Sequence, residues 1–215
     1  MTKISKRLEI ITKYIDKKDV VIDVGCDHGL LSIFLTENKL CKKVLACDIN
    51  QNALDNAIKN ISIRNLDIKT YLSDGINDVP LKGVNTLVIS GMGTTTILHI
   101  LKDADKLKNI NKLVIQSNND WELLRKELNN KGYYLEDEDN TFDKGKWYIT
   151  SLFVKSNKKN TNQEIEFGYL KNNDYCIYLL DNYRKINRKI PLLSFKDKIN
   201  IIKKIKRLKA TIKNK

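Results

Sequence analysis

The segment DVVIDVGCDHGLL at residues 19–31 restricts the fold of this chain more than any other stretch. Val20–Val24 is a short, β-branched apolar run interrupted only by Asp23, a composition typical of a strand buried on both faces of a parallel sheet. Gly25 and Gly29 enclose the polar turn that follows, and an apolar segment able to form a helix comes next. Strand, glycine turn and helix make the first unit of a nucleotide-binding α/β fold. The glycines let a ligand approach the backbone more closely than a Cβ atom would permit.

Strand and helix patterns alternate along the chain after this unit. Further strands are predicted over 43–48, 68–72, 86–90, 112–116, 133–138 and 147–154. Helices are predicted over 3–17, 29–38, 51–64, 94–102 and 121–130, and an acidic loop is predicted between the last two strands. This alternation predicts an α/β fold, a Rossmann-like doubly wound mixed sheet of seven strands with an antiparallel edge, in which the last strand is antiparallel.

The C-terminal part of the chain has a different pattern. Residues 155–163 are polar and unpatterned, which is typical of a linker. Two stretches with apolar residues at helical spacing follow, separated by Pro191, and they predict an antiparallel, coiled-coil-like helical pair. We therefore expect a Rossmann-like nucleotide-binding domain over 1–158 and a basic helical domain over 159–215.

The formal charge of +13 is unevenly distributed. Residues 155–215 contain 17 Lys and Arg against 5 Asp and Glu, whereas residues 1–154 contain 22 against 21. A compositional bias toward lysine would affect both parts alike, so the excess belongs to the helical tail. A concentration of positive charge of this kind favours contact with a polyanion such as a nucleic acid.

Several classes of protein are disfavoured by composition. No apolar run approaches the roughly 18 residues that a membrane-spanning helix needs. The N-terminal segment lacks the continuous apolar core of a signal peptide, and a cytoplasmic protein is expected. The four cysteines form no CxxC pair and there are only two histidines, so neither a disulfide framework nor a metal site is expected. No feature calls for a partner protein, and a monomer is expected.

Acidic residues follow three successive predicted strands. Asp27 occupies the position of the middle glycine in a dinucleotide-binding turn, where it would repel phosphates but would suit a cationic nucleoside such as S-adenosylmethionine. Asp48 ends the second strand, where a carboxylate can bind both ribose hydroxyls, and Asp74 follows the third, where an adenine ring could lie. The same acids could serve only as helix caps. Because the carboxyl ends of parallel strands meet at one edge, the set predicts a binding site there.

With these features the chain resembles the bacterial tRNA methyltransferases that modify N1 of adenine 22, members of the class I S-adenosylmethionine-dependent methyltransferases. The matching motifs are DVGCDHG at 23–29, ACDIN at 46–50, SDG at 73–75, ISGMG at 89–93, QSN at 116–118 and GKWY at 145–148. The resemblance covers essentially the whole chain, and the DHG turn combined with GMG after the fourth strand is its specific part. This chain has Thr94 and Ser117 where the family commonly has glycine and often proline.

The resemblance implies S-adenosylmethionine as methyl donor, a catalytic Rossmann-like domain and a C-terminal coiled coil that helps to hold tRNA. The cofactor-binding residues that it implies are Asp23, Gly25, Asp27, His28, Gly29, Asp48, Ile49, Asp74, Gly75 and Gly91. In this scheme Ile49 packs on the adenine ring beside Asp48.

Asp27 is the candidate catalytic residue. The chain lacks a [DN]PPY motif after the fourth strand, and no cysteine ends the fourth or fifth strand, so methylation of exocyclic amines and of pyrimidine C5 is disfavoured. Ring N1 of adenine is itself a nucleophile, and transfer needs mainly an in-line approach to an unstacked base. Asp27 would stabilise the resulting positive charge or accept an N6 proton. Alternatively, it contacts only the cofactor or its own loop.

Two other functions stay open at this point. A small-molecule methyltransferase could use the tail for dimerisation, although a dimer interface needs no excess of positive charge. A non-catalytic RNA-binding module could retain a degenerate Rossmann core, although the acids Asp48 and Asp74 are intact. Trp121 and Trp147 could stack on nucleobases, but aromatic residues beside an edge strand more often belong to the core.

Overall fold

A computed structural model describes residues 2–189 and 195–213 of the chain. Its helices are α1 Lys6–Thr12, α2 Leu30–Glu37, α3 Gln51–Ile63, α4 Thr94–Ile100, α5 Trp121–Asn130, α6 Asn162–Phe167, α7 Asn173–Lys189 and α8 Phe195–Lys213. Its strands are β1 Val20–Val24, β2 Lys43–Asp48, β3 Lys69–Leu72, β4 Thr86–Met92, β5 Lys112–Ser117, β6 Tyr133–Asp143 and β7 Lys146–Lys155. One compact unit ends at Gly168 and a second begins at Tyr169.

The strands of the first unit form one seven-stranded sheet in the order β3-β2-β1-β4-β5-β7-β6. Strands β1 to β5 pair in parallel, and β7 is antiparallel to both of its neighbours. The predicted Rossmann-like mixed sheet with an antiparallel last strand is confirmed. The β6–β7 pair forms the antiparallel edge of the sheet, and β7 lies between β5 and β6. The strand order reverses between β1 and β4, which is where ligands bind in open α/β sheets.

Local sequence accounts for the helices that flank the central strands. The side chain of Asn50 accepts hydrogen bonds from the backbone N–H groups of Asn52 and Ala53, so it caps α3. Leu54 and Ala57, one helical turn apart, are buried against the sheet. These contacts fix the start of α3 directly after the end of β2, beside the site described below.

The first helix is shorter than the 3–17 expected from the spacing of its apolar residues. Helix α1 ends at Thr12 because the chain then turns to bury Tyr14. The hydroxyl of Tyr14 donates a hydrogen bond of 2.6 Å to a carboxylate oxygen of Asp139 on β6. A tertiary contact therefore ends α1 at a residue that the spacing of its apolar residues does not predict.

The acidic loop expected between the last two strands is instead a continuation of both. Strands β6 and β7 extend to Asp143 and Lys146, and Lys144 and Gly145 join them with positive φ angles of 47° and 80°, as a two-residue hairpin turn requires. The last pair between β7 and β5 is Ser151 with Ile115. Residues 140–149 therefore extend past the last pair with β5 as a two-stranded segment, called here the projecting ribbon.

The first unit ends later than the boundary predicted at residue 158. Asn160 fixes the intervening segment, because its side chain bonds both the backbone N–H and the C=O of Leu135 on β6. Helix α6, which the sequence did not predict, follows with a capping box made by Thr161 and Glu164. These contacts add residues 159–168 to the first unit.

The second unit consists of α7 and α8, which contact each other. Lys204 of α8 lies 5.4 Å from the ring centroid of Tyr183 on α7. Ile186 and Ile202 are 42% and 39% exposed, so the apolar faces expected between the helices are only partly buried. The predicted break at Pro191 lies outside the described residues. None of the helices that the structure describes is long and apolar enough to span a membrane.

Candidate functional site

A cleft of about 350 Å³ opens at the carboxyl ends of β1, β2 and β4, where the strand order reverses. Its lining residues are Arg7, Leu8, Asp23, Gly25, Cys26, Asp27, His28, Leu30, Leu31, Asp48, Ser90, Gly91 and Met92. Six predicted site residues lie in this lining: Asp23, Gly25, Asp27, His28, Asp48 and Gly91. The cleft is within the size range of small-molecule and cofactor sites.

Four predicted residues lie outside the lining. Gly29 and Gly75 serve close packing, because a Cβ atom would come within 3.2 Å of the Ala57 side chain at the first and within 2.9 Å of an Ile100 side chain at the second. The other two, Ile49 and Asp74, lie on the same edge of the sheet but outside the cleft. Ile49 is 67% exposed, and Asp74 is also exposed.

Asp48 ends β2 with its side chain 9% exposed. One carboxylate oxygen accepts a hydrogen bond of 3.0 Å from the backbone N–H of Asp27, and the other accepts one of 2.9 Å from the N–H of Asn50. Because a carboxylate has about four acceptor positions, each oxygen can accept one further hydrogen bond. The carboxylate is therefore held rigidly by the backbone and can still bind a pair of neighbouring hydroxyl groups.

Asp23 forms the buried floor of the cleft at 4% exposure. Burial raises the pKa of its carboxyl to about 6, and the negative charge of Asp48 also raises it. The hydroxyl of Ser32 opposes this shift by donating a hydrogen bond of 2.7 Å. When Asp23 is ionised, its carboxylate attracts a cationic ligand into the cleft.

The DHG turn presents two polar side chains at the mouth of the cleft. Asp27 has a φ angle of +51°, a left-handed conformation that Asp tolerates better than most residues, and its side chain is 71% exposed. The His28 imidazole lies 3.7 Å from the Asp27 carboxylate and is 54% exposed. The turn therefore presents an exposed acid and an exposed imidazole to anything bound in the cleft.

The cleft depends on two glycines. At Gly25, with a φ angle of +73°, a Cβ atom would lie 2.2 Å from the terminal methyl of Met92. Gly91 has a φ angle of +86° and adjoins the guanidinium of Arg7. A side chain at either position would occupy space that a bound ligand could use, which fits the close approach predicted for these turns.

Arg7 is a site residue that the sequence did not reveal. Its guanidinium donates hydrogen bonds of 3.2 Å to the Ser90 hydroxyl and 3.3 Å to the Gln116 side-chain oxygen, and it lies 5.7 Å from the ring centroid of Tyr148. Among the described residues, no carboxylate forms an ion pair with it. The acidic cleft therefore contains one fixed cation at the end of β4, suited to a carboxylate or phosphate.

The two positions that depart from the family pattern contact each other. The hydroxyl groups of Thr94 and Ser117 are 2.9 Å apart, and both side chains are buried. Asn118, in the same turn, donates a hydrogen bond of 2.6 Å to the carbonyl of Gly91. In this chain, side-chain hydrogen bonds therefore hold together the turns after β4 and β5.

Comparison with known proteins agrees with this geometry. The model of a methyltransferase domain matches residues 4–150. The tRNA (adenine(22)-N(1))-methyltransferase of Bacillus subtilis is 30% identical over 149 residues, which are 68% of this chain but only 63% of that relative, less than two thirds of its length.

Solved structures cover nearly the whole chain. TrmK of M. capricolum, determined with S-adenosyl-homocysteine, has a TM-score of 0.85 and 32% identity over 98% of both chains. A Streptococcus pneumoniae protein in complex with S-adenosyl-L-methionine has a TM-score of 0.84 and 26% identity over 97% of this chain and 99% of that one. The chain therefore belongs to the methyltransferase-domain family and, within it, to the TrmK family.

Proposed function

We propose that the chain is an S-adenosylmethionine-dependent tRNA methyltransferase that modifies N1 of adenine 22. The observation that carries this proposal is Asp48, held at the carboxyl end of β2 in the cleft, with one acceptor position left on each carboxylate oxygen. An exposed isoleucine follows it directly, so a ribose and an adenine ring would find adjacent polar and apolar contacts. The Bacillus subtilis relative and TrmK of M. capricolum, described above, support the same activity by their names.

The cleft residues fit a cationic nucleoside cofactor. S-Adenosylmethionine supplies an electrophilic methyl group. We propose that Asp48 binds the ribose hydroxyls and that Ile49 and Asp74 contact the adenine ring. Gly25, which has no side chain, leaves space for the cofactor to lie against the protein backbone. Asp23 and Asp27 supply negative charge that favours a cation, while Arg7 suits the anionic groups of cofactor or substrate.

The acceptor needs no protein nucleophile, because N1 of adenine carries its own lone pair in the plane of the ring. The chain must expel water from the site, hold the base in line with the methyl group and accommodate the positive charge left on the methylated ring. We propose Asp27 for this last role, since its carboxylate lies at the cleft mouth and, among the residues that the structure describes, no Arg or Lys forms an ion pair with it. Asp27→Asn should lower kcat while leaving affinity for S-adenosyl-homocysteine within about twofold.

We further propose that α7 and α8 form an antiparallel coiled coil that binds tRNA. Lys203, Lys206 and Lys209 are exposed on α8, and the cation–π contact of Lys204 joins it to α7. In this proposal residues 169–215 hold the tRNA, the protein acts as a monomer, and its substrate places it in the cytoplasm.

The decisive experiment uses labelled donor and an in vitro transcript of tRNA. Label should appear in 1-methyladenosine after digestion, and a transcript with guanine at position 22 should stay unlabelled. Label transferred only to small molecules would favour the alternative methyltransferase. Binding of tRNA without any methyl transfer would favour the non-catalytic module.

The role of the tail has its own test. Lys203→Glu combined with Lys206→Glu should weaken tRNA binding and lower the slope of log K against log salt by about one for each phosphate that the tail no longer neutralises. Lys59→Glu with Lys69→Glu, on the first unit, makes the same change in net charge at exposed positions. Equal effects of the two pairs would remove the proposed role of the tail.

A further inference from the structure

The projecting ribbon lies next to the cleft. Tyr148 of the ribbon faces Arg7, which lines the cleft, and the backbone N–H of Arg7 donates a hydrogen bond of 3.2 Å to Asp143 near the ribbon tip. The tip also carries Lys144 and Lys146, both exposed, and the ammonium of Lys146 lies 5.4 Å from the Tyr148 ring centroid. A substrate that reaches the cleft from this side would meet the ribbon first.

The face of the ribbon opposite Tyr148 carries an aromatic pair. Phe142 and Trp147 are directly paired across the two strands, with ring centroids 5.3 Å apart and planes tilted by 57°. Phe142 is 52% exposed, which is unusual for a large apolar ring on a strand that serves only the core. Exposed aromatic rings bind unstacked nucleobases by stacking on them.

Asn140 lies two residues before Phe142 and shares its face of the ribbon. Its side chain is 8% exposed, and within the part of the chain that the structure describes neither its amide oxygen nor its amide nitrogen has a hydrogen-bond partner. Leaving a buried amide unpaired is costly, so such a group in a folded protein needs an explanation. An amide offers a donor and an acceptor together, which matches the edge of a nucleobase.

We propose that the projecting ribbon is a second nucleobase site, one that binds an unstacked tRNA base close to the methylated adenosine. The base stacks on Phe142 and Trp147, and the Phe142 ring turns aside enough for the base edge to pair with the Asn140 amide. Lys144, at the turn of the ribbon, neutralises an adjoining phosphate. This inference rests on the proposed function, because it takes tRNA to be the substrate.

Two substitutions test the site through tRNA affinity, measured by fluorescence anisotropy with the full chain. Phe142→Ala should weaken binding roughly 5- to 150-fold, the range seen when a stacking ring is removed, and Phe142→Tyr should restore it. Ile63→Ala, which trims another exposed apolar side chain, should have no effect.

Asn140→Leu separates recognition from structure. Replacing an unpaired buried amide with an apolar group of similar size should leave the fold as stable as wild type or more so. The proposal expects this variant to bind tRNA at least fivefold more weakly. If water alone bonds the Asn140 amide, Asn140→Leu should bind tRNA with wild-type affinity.

Fluorescence adds a direct readout. The chain has two tryptophans, so Trp121→Phe leaves Trp147 alone, and tRNA but not S-adenosyl-homocysteine should quench its emission. Wild-type affinity in both Phe142→Ala and Asn140→Leu, or no quenching of Trp147, would overturn the ribbon site. Methylation by the wild-type protein is measured alongside. An inactive wild type would contradict the proposed function, whereas unchanged variants of an active enzyme would contradict only the ribbon site.

Discussion

Replacement of Asp48 by asparagine tests the cofactor site most directly. In the folded chain both carboxylate oxygens accept backbone N–H groups, and their remaining acceptor positions suit a ribose diol. Asparagine keeps one oxygen and puts an NH₂ group in place of the other. That NH₂ group cannot accept from the backbone N–H that it faces, and it cannot accept from a ribose hydroxyl.

The expected losses follow from these contacts. Removing one charge-assisted hydrogen bond to the cofactor costs about 1.5–3 kcal/mol, which corresponds to roughly 12- to 150-fold weaker binding. The unpaired backbone N–H lowers the free energy of unfolding by about 1–3 kcal/mol. Asp55→Asn, on the exposed surface of α3, should change neither quantity by a measurable amount.

Isothermal calorimetry with S-adenosyl-homocysteine and with its 2′-deoxy analogue separates binding from folding. Wild type should prefer the ribose form, and Asp48→Asn should lose most of that preference even at a temperature where it stays folded. An Asp48→Asn protein that binds S-adenosyl-homocysteine within twofold of wild type, or that still discriminates against the deoxy analogue, would refute the assignment of Asp48 to the ribose.

Three further predictions concern the same unit. Burial raises the pKa of Asp23 from an ordinary 3.8 to about 6. The free energy of unfolding should therefore fall by up to ~3 kcal/mol as pH rises from about 4 to 6, and urea unfolding of Asp23→Asn should show no such fall. Gly25→Ala should bind cofactor at least tenfold more weakly by calorimetry, because its Cβ takes up space in the cleft and displaces the end of the Met92 side chain, which also lines the cleft. Gly132→Ala shares the left-handed strain but meets no atom within 4 Å and should only lose stability. The carboxylate of Glu138 accepts two hydrogen bonds from the buried guanidinium of Arg125 on α5. Glu138→Gln removes that charge, so chemical denaturation should show a free energy of unfolding lower by about 3–5 kcal/mol, with cofactor affinity retained.

The sequence predicted those parts of the site that depend on strand ends. Apolar runs marked β1 and β2, and parallel strands necessarily bring their carboxyl ends to one edge, so Asp23, Asp27 and Asp48 could be grouped from the sequence alone. The cap at Asn50 was equally visible, because the side chain and the N–H groups that it binds are neighbours in the chain.

The missing parts depend on distant partners. Arg7 bonds Ser90 and Gln116 across separations of 83 and 109 residues, and nothing in its own helix marks it. The acidic segment before Gly145 resembled a loop because strands are poor in Asp and Glu. In the fold its acids have partners, such as Lys13 for Asp139, so the segment can extend as a strand.

The position of β7 determines when the first unit can be completed during synthesis. Strand β6 leaves the ribosome before β7, yet it has no place on the sheet until β7 has paired with β5. Until residue 155 has emerged, the nascent chain carries β5 as an unpaired edge, which is open to pairing with other chains. The projecting ribbon beside the cleft therefore forms only after β7 has been synthesised, and until then the exposed edge of β5 leaves the growing polypeptide open to aggregation.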